Sequence, residues 1–236
     1  MLWWVTLVVS AAWRRQVARE DAASAALEAA YPEAELGLRV RLGREAQGLA
    51  PGAVVRSTDP RLELTYGEFS IDGVRRCLEA AGLEEKEVRF ADIGSGTGRI
   101  AAFAALRNPR WECRGYEISE TLHAEALRRS AEIPNVRFER RDVLLDPPDL
   151  SDVDVVFAYA TAFPAPEWSP DLGAPLLDNR WTRMLQVALR DNSRKCRVMI
   201  TDRALDPAAG FVLDEVLDVP NRETAGSLVF IHTRED

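Results

Sequence analysis

Short apolar segments alternate with longer amphipathic segments along the last two thirds of the chain. The apolar segments predict strands at residues 88–93, 111–117, 136–140, 153–160 and 197–201. Between and before them, amphipathic patterns predict helices over residues 70–82, 100–108, 121–132 and 176–189. Strands and helices that alternate at this spacing are typical of parallel β-α-β units, so we expect an α/β fold.

The end of the chain changes character. Residues 211–219 and 227–233 both have the pattern of strands, and no helical pattern separates them. Two strands joined in this way predict an antiparallel hairpin. Residues 153–158 are almost continuously apolar, which is typical of a strand that is buried on both faces of a sheet. We therefore expect a mostly parallel sheet of seven strands that closes with a C-terminal antiparallel hairpin.

The N-terminal part is organised differently. An Ala-rich helix is predicted over residues 14–31, and residues 33–65 are irregular. We therefore expect a helix-and-loop extension over residues 1–65 and one main domain over residues 66–236. Residues 2–13 are an apolar run that is shorter than the roughly 20 residues needed to cross a bilayer. They indicate either a packing helix, with a cytoplasmic or nuclear protein, or a targeting leader over residues 1–13, with an organellar or secretory one.

Composition narrows the functional classes. The 236 residues are 47% hydrophobic, which is enough for a sizeable core. The net charge of −8 disfavours nucleic acid as a partner, because phosphate binding needs a basic surface. Three widely spaced cysteines and two histidines predict neither a disulfide framework nor a metal site. We expect the three cysteines to be buried free thiols.

The most informative motif is DIGSGTG at residues 92–98, between a predicted strand and a predicted helix. Glycines let the backbone turn tightly beside a ligand, and the helix start offers unpaired N–H groups to it. A nucleoside-triphosphate loop would require a Lys after the glycines, and none is present. The dinucleotide fingerprint would require a glycine at position 99, where the chain has Arg99.

This motif resembles the first motif of class I S-adenosylmethionine methyltransferases. The resemblance implies a Rossmann-like fold with S-adenosylmethionine as the cofactor. It also implies a cofactor site whose further acids are Glu117, for the ribose hydroxyls, and Asp142 with its neighbour Val143, for the adenine. The remaining cofactor-binding residues implied by the motif are Asp92, Gly94, Ser95, Gly96 and Gly98.

A narrower resemblance covers residues 60–165. YGEFS at residues 66–70, followed by the glycine motif, is similar to the Dot-type histone-lysine methyltransferases. It implies that Tyr66 and Glu68 bind the cofactor and that a protein lysine accepts the methyl group. The chain departs from that family at Tyr159, where an Asn pair is expected, and at Arg99, where a Gln is expected. It also shows no basic extension, so we do not expect the nucleosome as its partner.

An amine acceptor must reach the methyl group uncharged, which an apolar aromatic wall favours by desolvation. We expect this wall to include Tyr66, Tyr159, Phe163 and Trp168, and we take Tyr66 and Tyr159 as the candidate catalytic residues. No side chain stands out as a general base. The leading hypothesis is a protein-lysine methyltransferase. A small-molecule methyltransferase and a non-catalytic S-adenosylmethionine-binding protein remain the alternatives.

Overall fold

The computed structural model describes residues 11–48, 64–83, 87–221 and 226–234. Most of the apolar N-terminal run, including residues 1–10 of the predicted leader, lies outside these residues. No helix in the described ranges is both long enough and apolar enough to cross a membrane.

Six helices and nine strands make up the described structure. The helices are α1 (Ala11–Ala30), α2 (Leu36–Ala46), α3 (Ile71–Ala80), α4 (Arg99–Arg107), α5 (Glu120–Arg129) and α6 (Asn179–Ala188). The strands are β1 (Arg89–Ile93), β2 (Glu112–Glu117), β3 (Val136–Arg140), β4 (Val155–Ala158), β5 (Glu167–Ser169), β6 (Ala174–Leu176), β7 (Arg197–Thr201), β8 (Phe211–Val219) and β9 (Ser227–Arg234).

Seven of the strands form one sheet in the order β3-β2-β1-β4-β7-β9-β8. The first five run parallel, and β9 pairs antiparallel with both β7 and β8. This arrangement confirms the predicted α/β fold with a mostly parallel sheet and a closing hairpin. The chain builds outward from β1 in one direction and then returns to β4 on its other side. Ligands of such sheets bind at this switch point, beyond the carboxyl ends of the strands.

Helices cover both faces of the sheet. All four residues of β4 are buried, as the apolar pattern predicted. One core layer lies under α3 and α4, and the other lies under α6, where Met184 and Leu185 pack. The extension joins the first layer, because α1 packs along α4 and contributes Leu27 to the same core as the main domain.

Two elements were not predicted. Helix α2 lies within the segment that looked irregular. The side chains that it exposes include apolar ones and those that it buries are polar or small, which is the reverse of an ordinary amphipathic helix. Leu38 and Val40 are exposed, whereas Arg39 and Gly43 are buried. Hydrophobic periodicity cannot detect such a helix, because its inward face is polar or small. The second unpredicted element is the β5–β6 hairpin, whose strands of three residues are too short to give a pattern.

Candidate functional site

The glycine motif forms the turn between β1 and α4. Gly94, Gly96 and Gly98 have φ angles of +72°, +55° and +83°, which lie in the left-handed region. The N–H groups of Gly94 and Ser95 donate to the Tyr116 carbonyl at 2.9 and 3.0 Å, which ties the turn to β2. The turn therefore lies at the carboxyl edge of the sheet, directly before the N-terminus of α4.

A cavity of about 310 Å³ opens beside this turn, at the carboxyl ends of β1, β2, β3 and β4. Every predicted cofactor-binding residue except Gly98 lines it: Tyr66, Glu68, Asp92, Gly94, Ser95, Gly96, Glu117, Asp142 and Val143. Gly98 lies behind the turn, where a Cβ atom would come within 2.4 Å of the Phe138 ring. The structure thus brings together residues that are up to 77 positions apart in the sequence.

Glu117 stands at the end of β2 and faces the turn. Its Oε2 accepts a hydrogen bond from the Gly96 N–H and its Oε1 accepts one from the Ser119 N–H, both at 2.8 Å. Burial raises the pKa of Glu117, and backbone hydrogen bonds from Ser119, Gly96 and Ile118 partly oppose that rise. Each carboxylate oxygen can accept a second hydrogen bond, so the side chain can still take the two hydroxyls of a ribose.

Asp92 and Ser95 carry polar atoms with unmet hydrogen-bonding capacity. Asp92 is 1% exposed, and burial together with the charge of Glu117 raises its pKa to about 8. Asp92 Oδ2 and Ser95 Oγ are both buried and have no hydrogen-bond partner within the described residues. Buried polar atoms rarely stay unpaired in a native protein. Their presence at the cavity wall fits a site that is completed by a polar ligand.

Beyond β3 the cavity becomes more apolar. Asp142 Oδ1 accepts hydrogen bonds from the N–H groups of Leu144 and Leu145 at 3.1 and 3.3 Å, which shapes a tight turn. Ile118, Val143 and Leu144 line this part of the cavity. An acid beside apolar side chains fits an adenine ring, which has a flat apolar face and a polar edge.

Tyr66 closes the cavity over the glycine turn. Its hydroxyl donates to Glu68 Oε1 at 2.5 Å and is 2.9 Å from Thr97 Oγ1. Its ring lies so close to Gly96 that a Cβ atom there would be 2.7 Å from Cε2. Burial and the neighbouring Glu68 raise the pKa of Tyr66 well above its ordinary value. The hydroxyl therefore keeps its proton at neutral pH, and Tyr66 acts as a wall and a clamp on the turn rather than as a base.

The β4 side of the cavity is aromatic. The Tyr159 ring packs against Phe69 with centroids 5.3 Å apart, and its hydroxyl accepts a hydrogen bond from Asn221 Nδ2 at 3.0 Å. The Phe163 ring stacks on Trp181 at 4.0 Å. Tyr159, Phe163 and Trp181 all line the cavity.

The prediction that Trp168 belongs to this wall is wrong. Trp168 lies on β5 and is 62% exposed, and it does not line the cavity. The unpredicted β5–β6 hairpin carries it to the surface, and Trp181 of α6 supplies the aromatic ring instead. Sequence reasoning missed Trp181 because it is one apolar position among several on the buried face of that helix.

Other lining residues were missed although a signal was present. Phe69 and Ile118 directly follow the predicted site residues Glu68 and Glu117, so adjacency alone could have indicated them. Thr97 and Arg99 belong to the glycine turn and its helix start. Arg39, which contacts Glu68 from α2, could not have been found in this way.

Comparisons with known proteins point to one class. A family model described as a methyltransferase domain matches residues 90–172. No curated protein sequence is significantly similar to the chain.

Several solved structures have the same fold. An RNA methyltransferase from Salinibacter ruber, in complex with S-adenosyl-L-homocysteine, superposes with a TM-score of 0.52 at 22% identity, covering 72% of this chain and 95% of that one. TrmN from Thermus thermophilus superposes with a TM-score of 0.50 at 22% identity, and the match covers 68% of this chain and 48% of that one. A TehB-like S-adenosylmethionine-dependent methyltransferase from Corynebacterium glutamicum superposes with a TM-score of 0.50 at 16% identity. This match covers 70% of this chain and 89% of that one.

The match over residues 90–172 contains the glycine turn, Glu117 and Asp142, which are among the residues that line the cavity. The seven-stranded sheet with its closing antiparallel strands lies in a fold that superposes on these neighbours. The unmet polar atoms at the turn fit the cofactor of that class. Residues 90–172 therefore match a methyltransferase domain, and the chain has the fold of class I S-adenosylmethionine-dependent methyltransferases.

Proposed function

We propose that the enzyme methylates an amine, and that the amine is the side chain of a lysine in a protein. The observation that carries this proposal is the composition of the cavity wall. Among the described lining residues there is no histidine, cysteine or lysine, and the β4 side is formed by Tyr159, Phe163 and Trp181. An amine can lose its proton to solvent before it enters, so it needs no base in the site. A hydroxyl or carbon acceptor usually does.

The residues divide into a cofactor side and an acceptor side. S-adenosylmethionine, when bound, supplies an electrophilic methyl group. Glu117 and Asp142 are positioned to hold its ribose and adenine, and the turn with Ser95 holds the methionine end. Positioning supplies much of the acceleration in such a displacement, because the leaving group is good. The protein's remaining task is to orient the acceptor and exclude water.

The aromatic side chains suit that task. Ammonium groups lose more solvation than neutral amines when they enter apolar surroundings, so this wall lowers the pKa of an entering amine. The loop that carries the wall is held in place by Arg203, whose guanidinium donates to the carbonyls of Thr161 and Phe163 at 2.7 and 3.2 Å. A fixed loop keeps the wall in position while the amine enters.

The histidines of the chain do not offer a base. His232 lies in β9, and its Nε2 accepts a hydrogen bond from the Leu205 N–H at 3.2 Å. Burial lowers its pKa to about 4, so it stays neutral. His123 lies on α5, and neither residue lines the cavity. The site therefore suits an acceptor that can lose its proton to solvent before it enters.

Charge and sequence resemblance support a protein acceptor. The net charge of −8 favours the approach of a basic, lysine-bearing segment and disfavours nucleic acid, including the nucleosome. The similarity of residues 66–70 to the Dot-type enzymes supports lysine in particular. The likeness to an RNA methyltransferase is a likeness of fold at 22% identity and carries no substrate with it.

A small-molecule amine is the second candidate. The observation that favours it is Tyr159, which stands where the Dot-type enzymes have an Asn pair that lines the lysine channel. The Tyr159 ring packs on Phe69 and narrows this side of the cavity. Both candidates share the same chemistry and differ in what surrounds the amine.

Methyl-labelled S-adenosylmethionine, incubated with the enzyme and a cell lysate, separates the candidates. We expect label in protein, and methyl-lysine after hydrolysis of the labelled band. A Gly96→Val control should give no label, because it lacks the cofactor site. Label confined to small molecules would support the second candidate and overturn the first. Cofactor binding with no transfer to any lysate fraction would leave a binding protein instead of an enzyme.

A further inference from the structure

Three charged side chains meet where the Tyr66 loop joins the start of α4. Arg39 of α2 is fully buried, and its Nε and Nη2 donate to the two carboxylate oxygens of Glu68 at 2.5 and 3.0 Å. Its Nη1 donates to the Pro32 carbonyl at 2.8 Å. Burial raises the pKa of Glu68, but hydrogen bonds from Arg39 and Tyr66 outweigh it, and the net pKa is below the usual value. Glu68 is therefore ionised and paired with Arg39 through both oxygens.

Arg99, the third member, is held less closely. Its Nε forms an ion pair with Glu68 Oε2 at 3.7 Å, which is longer than a hydrogen bond, and its Nη1 donates to the Phe69 carbonyl at 3.3 Å. Nε is buried and has no hydrogen-bond partner in the described part of the chain. Arg99 is also the first residue of α4, where the helix dipole disfavours a cation. Yet Arg99 lines the cofactor cavity.

The charges of this trio do not cancel. Two guanidinium groups face one carboxylate, and Tyr66 between them keeps its proton. Arg39 donates to both carboxylate oxygens of Glu68 and so neutralises most of its charge. The positive charge that is left over therefore lies on Arg99. A cation beside the glycine turn and a helix N-terminus forms a site for an anion. The anionic group of the cofactor is the carboxylate of its methionine moiety.

We propose that Arg39, although it belongs to the N-terminal extension, is a positioning residue of the cofactor site. By holding Glu68, it keeps Arg99 available to bind the methionine carboxylate. Without Arg39, Glu68 would draw Arg99 from this long ion pair into direct hydrogen bonds and repel the carboxylate. This role concerns cofactor binding alone, so it does not depend on whether the acceptor is a lysine.

Calorimetric binding of two ligands to the apoenzyme tests this role. S-adenosylmethionine and its decarboxylated analogue differ only in the carboxylate. We expect the wild type to bind S-adenosylmethionine about ten- to a hundredfold more tightly, as for a charged hydrogen-bonded pair. Arg99→Gln and Arg39→Met should each remove most of this preference while leaving the affinity for the analogue within about threefold.

The double variant shows whether Arg39 acts through Arg99. If it does, Arg39→Met adds no further loss of preference to Arg99→Gln, because coupled residues are not additive. Arg128→Gln, an exposed arginine of α5 that pairs with Glu125, is the matched control and should retain the wild-type preference. If Arg39→Met does not fold, Arg39→Lys keeps a charge but loses the bidentate geometry and should give an intermediate preference.

Three results would overturn the proposal. The wild type could bind both ligands equally, which would leave the carboxylate without a cationic partner. Arg99→Gln could retain the full preference, which would assign the carboxylate to another group. Arg39→Met or Arg39→Lys could weaken the binding of both ligands by the same factor, which would show a purely structural role for Arg39.

Discussion

At the scale of single residues, Asp92 is an acid that the fold keeps protonated near neutral pH. Its pKa is raised from 3.8 to about 8, first by burial and then by the charge of Glu117. Between these two values the unfolded chain has lost the proton and the native state has kept it. The native state therefore binds more protons, and this residue makes the protein less stable as the pH rises through that window.

Asp92→Asn should remove this pH dependence, because an amide is neutral at every pH. We expect the free energy of unfolding of the variant, relative to the wild type, to increase by up to about 1 kcal/mol per pH unit between pH 5 and pH 8. Chemical denaturation of the ligand-free protein at several pH values measures it. A constant difference between variant and wild type across this range would show that Asp92 is ionised in the native state.

Gly96 leaves room for Tyr66 and has a left-handed φ of +55°. Gly96→Val should weaken S-adenosylmethionine binding by more than a hundredfold, because the new side chain displaces the Tyr66 ring from the cavity wall. Calorimetry measures the affinity. Gly173→Val is the matched control: its φ is +60°, and a Cβ atom there would meet no other atom within 4 Å. The control should lose about 1–2 kcal/mol of stability through backbone strain and bind the cofactor normally.

At the scale of elements, α2 packs its small and polar face against the cofactor site. A Cβ atom at Gly43 would lie 2.3 Å from the Tyr66 Cβ, so α2 and the glycine turn approach the same tyrosine from two sides. Tyr31, which follows α1, donates its hydroxyl to the Thr97 carbonyl at 3.0 Å. The extension therefore contacts the cofactor turn twice, directly through Tyr31 and indirectly through Tyr66.

Two alanine substitutions in α2 separate helix propensity from this contact. Gly37→Ala should stabilise the protein by up to about 1 kcal/mol, because nothing lies within 4 Å of its Cβ position and alanine favours the helix. Gly43→Ala should instead destabilise it by about 1–3 kcal/mol, through overpacking against Tyr66, and weaken cofactor binding as well. Thermal unfolding and calorimetry measure the two effects. Equal behaviour of the two variants would contradict the described packing of α2.

At the scale of the whole molecule, the rate at which the three buried cysteines react measures global unfolding. Cys77, Cys113 and Cys196 are free and buried in the two core layers, as predicted. Burial raises the pKa of Cys77 and of Cys196 to about 12 and that of Cys113 as well. Thiol reagents need the exposed thiolate, so they should label the native protein only as it unfolds.

S-adenosylmethionine should slow this labelling, because the cofactor binds only the folded state. At a hundredfold excess over its Kd, we expect labelling to be about a hundredfold slower. A chromogenic disulfide reagent measures the rate, with Gly96→Val as the control that the cofactor should not protect. Fast labelling of the ligand-free protein, unchanged by the cofactor, would show that the thiols are reached by local openings.

Local signals in the sequence were sufficient for much of the fold and for one side of the site. Each of the seven strands of the main sheet has its own local pattern, either an apolar run or an alternation as in β3, and hydrophobic periodicity is a property of neighbouring residues. The glycine turn was equally visible, because its left-handed φ angles demand glycine wherever the chain adopts them. Glu117 and Asp142 were predicted because the resemblance to class I methyltransferases implies acids after the second and third strands, and both line the cavity.

The other side of the site was decided by packing between distant segments. Arg39 and Gly43 lie on a helix whose exposed side carries Leu38 and Val40, so the sequence pattern pointed away from the buried face. Trp168 and Trp181 are equivalent by composition, and only the β5–β6 hairpin assigns one to the surface and the other to the cavity. By itself, the sequence determined the sheet and the glycine turn, because these depend on short-range patterns, and its resemblance to a known family indicated the cofactor class. Only the tertiary structure decided that the extension packs against Tyr66, Glu68 and the glycine turn, because a buried charge is placed by partners far along the chain.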